Sequence, residues 1–259
     1  MNGYCIQFMK VAPAVAALLC LAARAASAEL LPEVTVHLRA ARYVPARTDF
    51  HWQGWIGAGA SVLRVRGTSA YFDTDVETII GNTLRAFEAN QANYHLEAGV
   101  HQRAGRGTAT LFFHHVSRHY IDRPKIQAVD WNLLGARIAW PIRSGSRPVG
   151  AVASLAHTTL DSLVGYRWEA IVELDAEPAR VGSAALYGRG GVRLVTVVED
   201  SALDRGSFAD LGVEAGVRWS QEGRTLDLFA AFERRNDVFL EVPGRHDRAL
   251  FGFRISALR

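Results

Sequence analysis

The feature that most constrains this chain is a period of two in hydropathy, repeated in segment after segment. From Tyr94 to Arg103, Tyr94, Leu96, Ala98 and Val100 fall on one face. His95, Glu97, Gly99, His101 and Arg103 fall on the other. From Tyr166 to Asp175, Tyr166, Trp168, Ala170, Val172 and Leu174 oppose Arg167, Glu169, Glu173 and Asp175, with Ile171 the exception. From Ala209 to Trp219, apolar residues alternate with Asp210, Gly212, Glu214, Gly216 and Arg218. Leu226–Arg235 and Ala249–Leu258 repeat the pattern. Successive side chains of a strand point to opposite faces, so each segment is a β-strand with one apolar face and one charged or glycine-rich face.

Such strands can close with the apolar face inward, as in a soluble ligand-binding barrel, or outward, against lipid. Three features favour lipid. The segments reach about ten residues, the length a tilted strand needs to cross a bilayer. Their polar faces mix Arg with Glu and Asp, which suits a hydrated or ion-paired lumen. Aromatic residues near segment ends, Trp140, Tyr166, Trp168, Trp219 and Phe251, suit interfacial girdles.

Short connections are expected around Gly67-Thr68, Ala104–Gly107, Ser144–Ser146, Glu177-Pro178 and Gln221–Gly223. Longer ones are expected near Ile79–Asn90, His119–Val129, Glu199–Gly206 and Asn236–His246. Short periplasmic turns and long outer loops are the outer-membrane arrangement. Counting from a first strand near Val34–Arg39, the reading is an all-β, antiparallel transmembrane β-barrel of about twelve strands, with both termini periplasmic. His51–Arg66 alternates poorly and contains several glycines, which predicts a bulge or kink.

The N-terminus agrees with export. Lys10 precedes an apolar stretch from Val11 to Ala23, and Ala26-Ser27-Ala28 follows as a small-x-small cleavage site. The apolar stretch is shorter than the ~20 residues a spanning helix needs. Residues 1–28 therefore read as a cleaved signal peptide and 29–259 as one outer-membrane barrel. The only cysteines, Cys5 and Cys20, lie in the removed part, so the mature chain has neither disulfide nor thiol chemistry. Removing Lys10 and Arg24 leaves 27 basic residues against 26 acidic ones. That near balance offers no field for nucleic acid. No Gly-rich phosphate loop or Cys/His zinc spacing is present.

One segment departs from the pattern: Phe112-Phe113-His114-His115-Val116-Ser117-Arg118-His119-Tyr120-Ile121-Asp122. The lipid-facing parity of Ala109, Leu111 and Phe113 continues through His115, Ser117 and His119, whereas Thr108, Thr110, His114 and Arg118 face the lumen. On the next strand Asn132 shares parity with Leu134, Ala136, Ile138 and Trp140. His115, Ser117 and Asn132 should thus emerge on the outer wall near the extracellular end. A serine hydroxyl becomes nucleophilic when an imidazole takes its proton, and a third group, which can be Asn, fixes the imidazole. On a lipid-facing wall such a trio meets an ester bond without extracting it from the membrane.

His115-x-Ser117 followed by Trp131-Asn132 resembles the active-site stretch of outer-membrane phospholipase A, over about twenty residues. That family is a twelve-stranded barrel with a Ser-His-Asn triad on its outer wall, active as a calcium-dependent dimer. The resemblance implies Ser117 as nucleophile, His115 as base, Asn132 as orienting residue, a homodimer, a membrane lipid as partner, and calcium as cofactor, for which Asp122 is the candidate ligand; His, Ser and Arg at an extracellular rim also suit contact with lipopolysaccharide. The family follows its serine with Asn-Gly, where this chain has Arg118-His119, and its Ser-to-Asn spacing is shorter. The spacing His115-x-Ser117-x-His119-x-x-Asp122 also resembles a patch in an uncharacterised family of bacterial outer-membrane barrels. The sequence admits a lipid acyl hydrolase of the bacterial outer membrane, a non-catalytic barrel that is structural or a small-solute pore, and a soluble barrel with an apolar interior. The export reading makes one prediction: intact-mass measurement of protein from outer membranes gives a mature chain beginning at Glu29.

Overall fold

The structure is a computed structural model that describes residues 28–121, 128–144, 147–199, 206–236 and 244–259. The signal-peptide reading of residues 1–28 lies, except for Ala28, outside them.

Twelve strands follow in order: β1 (Ala28–Val44), β2 (Trp52–Val65), β3 (Thr68–Gly81), β4 (Glu88–Ala104), β5 (Gly107–Tyr120), β6 (Val129–Ser144), β7 (Arg147–Asp161), β8 (Tyr166–Val181), β9 (Ala184–Val197), β10 (Phe208–Gln221), β11 (Arg224–Arg235) and β12 (His246–Leu258). Each pairs antiparallel with its sequence neighbours, and β12 pairs with β1 to close the barrel. Past the end of β12, Arg259 exchanges two backbone hydrogen bonds of 2.9 Å with Val34. Closure leaves no sheet edge, which hydrocarbon requires because it offers backbone groups no other partner.

At one end the described turns are two residues long. Arg66-Gly67 and Glu222-Gly223 take positive φ at both positions (50° and 86°; 48° and 76°), the type I′ geometry that matches strand twist. Longer connections sit at the opposite end. Glu177-Pro178, expected as a turn, instead lies inside β8. The strand absorbs it as an irregularity between Ala176 and Ala179, and the chain turns at Gly182. Proline is tolerated there because a bulge leaves an unpaired position that has no ladder hydrogen bond to donate. The irregularity expected in His51–Arg66 is a register shift between Ser61 and Leu63.

The burial pattern is inverted relative to a soluble protein. Leu38, Ile56, Tyr94, Leu96, Leu134, Ile138, Leu155, Val172, Leu194, Val213, Leu228, Phe253 and Ile255 are exposed on the outer wall. Asp227, Glu77, Asn93, Gln53 and Arg118 are buried inside. This overturns the soluble-barrel reading, which needed Tyr94 and Leu96 inside. Trp140 and Trp219 are exposed on the outside towards the short-turn end, and Trp168, Phe232 and Phe251 towards the other. Tyr166 is a correction. The register shifts between Tyr166 and Trp168, so Tyr166 turns inward, where its ring lies 5.2 Å edge-on from Trp131.

The lumen is filled by ion pairs and aromatics. Glu77 is 0% exposed and accepts from Arg235 Nη1 at 2.5 Å, Gln53 at 2.6 Å and Asn93 at 2.6 Å. Arg254 bridges Glu214 at 2.8 Å and Asp227 at 3.1 Å, and Arg218 holds Asp227 at 2.9 Å. Arg193 joins Glu169 and Asp210, and Arg137 joins Glu97. Glu97, Glu169 and Glu214 are thus held inside the barrel by these arginines. Beside Glu97, Tyr71 donates to it at 2.7 Å and covers Gly99 on β4. A side chain at Gly99 would meet that ring and the carbonyl of Leu111, so the glycine is what lets the tyrosine lie flat. A cavity of about 750 Å³ remains, bordered by His37, Trp55, His95 and His114 among others.

If the outer wall meets hydrocarbon, Val172→Arg near mid-strand, 54% exposed in the structure, destabilises the barrel in lipid vesicles by about 2–4 kcal/mol. Reversible urea unfolding of the vesicle-inserted protein measures it, and an unchanged midpoint refutes the orientation.

Candidate functional site

The site is built on three adjacent strands near the long-loop end. Leu111 (68% exposed) and Phe113 continue the apolar outer wall along β5, and the same parity then carries His115, Ser117 and His119. In the antiparallel register His115 lies between Leu96 of β4 and Asn132 of β6, and Ser117 between Tyr94 and Asp130. The parity read from the sequence therefore holds for all three expected residues: they share the outer wall.

His115 Nδ1 and Asn132 Oδ1 are 2.6 Å apart. With Nδ1 donating to the amide oxygen, Asn132 holds the imidazole in the tautomer whose Nε2 has a free lone pair. Ser117 Oγ, however, hydrogen-bonds His119 Nε2 at 3.2 Å. So the structure joins His115 to Asn132 and gives the serine a different imidazole from the expected one. The ring of His119 meets Tyr94 edge-on, with centroids 5.4 Å apart and planes at 66°. His119 carried the right parity in the sequence. Which of two equally spaced histidines the serine would take could not be read from spacing, because i−2 and i+2 are equivalent along a strand.

The wall behind this patch is firm. The alternate residues of the same strands, Phe112, Val116, Val129, Trp131 and Leu133, point inward and form one buried cluster with Tyr71 and Tyr166. The Arg118 guanidinium lies over Trp131 at 5.2 Å. Next to the patch, a register shift between Asn132 and Leu133 leaves Thr159 as the extra residue of β7, and Thr159 Oγ1 donates to the Asn132 carbonyl at 3.4 Å. Bulges re-aim side chains, and this one sits where Asn132 turns towards His115. Below, Asp130 is tied to β7's far end: its carboxylate accepts from Ser162 Oγ, and its N–H donates to the same hydroxyl at 3.1 Å. These ties fix β6 against both neighbours, as a preorganised site requires.

Asp122, expected as a calcium ligand, lies outside the described residues. Among the described residues no group of three or more His, Cys, Asp or Glu side chains is arranged to hold a metal ion. The outer-wall patch therefore assembles no calcium cage from those residues.

No family model and no curated protein matches the chain. Among solved structures, the translocator domain of the autotransporter NalP from Neisseria meningitidis is 12% identical, covering 97% of this chain and 95% of its own, with a TM-score of 0.42. LpxR from Salmonella typhimurium is 11% identical over 86% of this chain and 99% of its own, with a TM-score of 0.49. OprB from Pseudomonas putida is 9% identical over 88% and 93%, with a TM-score of 0.40. None of these likenesses assigns a role to a residue here.

Trp131 is 1% exposed at the centre of the backing cluster. Trp131→Ala is expected to cost about 3–5 kcal/mol by emptying that space. The same vesicle unfolding experiment reads it.

Proposed function

We propose that this chain is an outer-membrane β-barrel that hydrolyses an acyl ester of membrane lipid, with Ser117 as nucleophile. One observation carries the reading. A serine hydroxyl hydrogen-bonded to an imidazole, beside a second imidazole fixed by Asn132, continues a strand face whose preceding residues are the exposed Leu111 and Phe113. Polar and ionisable groups on a hydrocarbon-facing surface are costly, so three of them on one strand face ask for a purpose. The purpose that fits is chemistry on a molecule that already lies in the membrane.

The position suits an ester near the headgroups. His115, Ser117 and His119 occupy the last residues of β5, which ends at Tyr120. At about 3.3 Å per residue, Ser117 lies about 10 Å along the strand from that end. Acyl chains packed along Leu111, Phe113 and Leu134 would present their ester carbonyl at that level. Attack by Ser117 Oγ on the carbonyl carbon gives an acyl-enzyme and a lysolipid alcohol, and water then releases the fatty acid. The resemblance to outer-membrane phospholipase A supports this reading through His115, Ser117 and Asn132 alone. A pore is the weaker alternative, because the ion pairs of Arg235, Arg254, Arg193 and Arg137 occupy part of the lumen.

The test is fatty-acid release from phospholipid and lipopolysaccharide micelles by the purified barrel. Ser117→Ala is expected to abolish release while the folded mobility on unheated gels is kept. Equal release by the variant, or none by the native chain with and without added calcium, refutes the proposal.

A further inference from the structure

We propose that His119, and not His115, is the base that takes the Ser117 proton, and that Tyr94 holds its ring in place. This rests on the acyl-hydrolase reading of Ser117. A hydroxyl on a strand has two same-face neighbours, at i−2 and i+2, each about 6.6 Å away along the backbone. Here the two are both histidines, and the structure distinguishes them. His115 is turned sideways to β6, its Nδ1 held by Asn132 at 2.6 Å. His119 is turned along β5, its Nε2 3.2 Å from Ser117 Oγ.

The surroundings explain the difference. The β5–β6 ladder ends at the pair Arg118–Val129, one residue before His119, whereas His115 lies inside it opposite Asn132. Towards β4, His119 faces Ala92, too small to displace the ring. Tyr94, the register partner of Ser117 on the same strand, closes on the ring edge-on. The imidazole is thus confined between a serine and a phenol ring, an edge-to-face aromatic contact that fixes its orientation. His115 and Asn132 become a positioning pair that ties β5 to β6.

The chemistry balances with His119 alone. The Oγ–H proton passes to Nε2 as the Oγ–C bond forms and the carbonyl π pair moves to oxygen. When the carbonyl re-forms, the C–O bond to the lipid alcohol breaks and Nε2–H protonates that alcohol. Water then repeats the sequence on the acyl-serine, giving a carboxylic acid and free Ser117.

The experiment measures the rate at which a long-chain alkyl fluorophosphonate labels Ser117 in the full-length barrel in detergent micelles. The native chain is compared with His119→Gln, His119→Ala, His115→Gln and Tyr94→Ala, each first checked for folded mobility on unheated gels. Two substitutions at position 119 keep the test available if one fails to fold. Loss of the base is expected to slow labelling about 10²–10⁴-fold in the His119 variants, against less than about tenfold in His115→Gln. Added imidazole should restore part of the rate to His119→Ala, which a purely structural loss would not allow. Tyr94→Ala should fall between. The proposal is overturned if His115→Gln takes the large loss while His119→Gln labels within tenfold of the native chain, an outcome that leaves Ser117 as nucleophile. A native chain that neither labels nor releases fatty acid removes the acyl-hydrolase reading and this one with it.

Discussion

Everything in this molecule depends on the pairing of β12 with β1. A sheet in hydrocarbon must satisfy every backbone N–H and C=O within itself, and only closure does so. Once the ring is shut, strand alternation has just two destinations, a continuous outer wall and an enclosed lumen. Most aliphatic residues take the first, and the ion pairs take the second together with clusters of inward apolar and aromatic residues. Burial in the ordinary sense is therefore reassigned: Glu77 and Asp227 are the inaccessible residues, and leucines such as Leu111 and Leu134 are the exposed ones.

That division makes the patch on β5 conspicuous. Its histidines and serine do not share the lumen's network, where arginines pair with acids. They stand on the wall facing the opposite way, supported from behind by aromatic packing through the same strands. Each residue of β5 thus serves one of two environments according to parity. Val116 and Arg118 back the wall from inside, and His115, Ser117 and His119 stand on its outer face.

The strand content and the inward–outward division were legible in the sequence because the period of two is set by backbone geometry alone. Tyr94, Leu96, Val172 and Phe253 could be placed without knowing any partner strand. Tyr166 could not. One bulge at Arg167 reverses parity, and bulges depend on how the neighbouring strand is spaced. Glu177-Pro178 misled for the same reason: turn chemistry is local, but the strand there is prolonged by its pairing with β9. At the site, the outer-wall placement of His115, Ser117 and Asn132 followed from parity. The choice between His115 and His119 required the end of the β5–β6 ladder and the position of Tyr94, neither of which is encoded in the local spacing.

The salt bridge between Glu77 and Arg235 joins β3 to β11, with β2, β1 and β12 lying between them. These two side chains become neighbours only after the chain's first and last strands have met. The seam and the interior brace are consequently coupled: a half-zipped sheet keeps both charges hydrated and gapes towards water, and joining its rims simultaneously drives them together. Shutting the ring thus sets an ion pair between two strands that are distant in the chain, inside the space the closure creates.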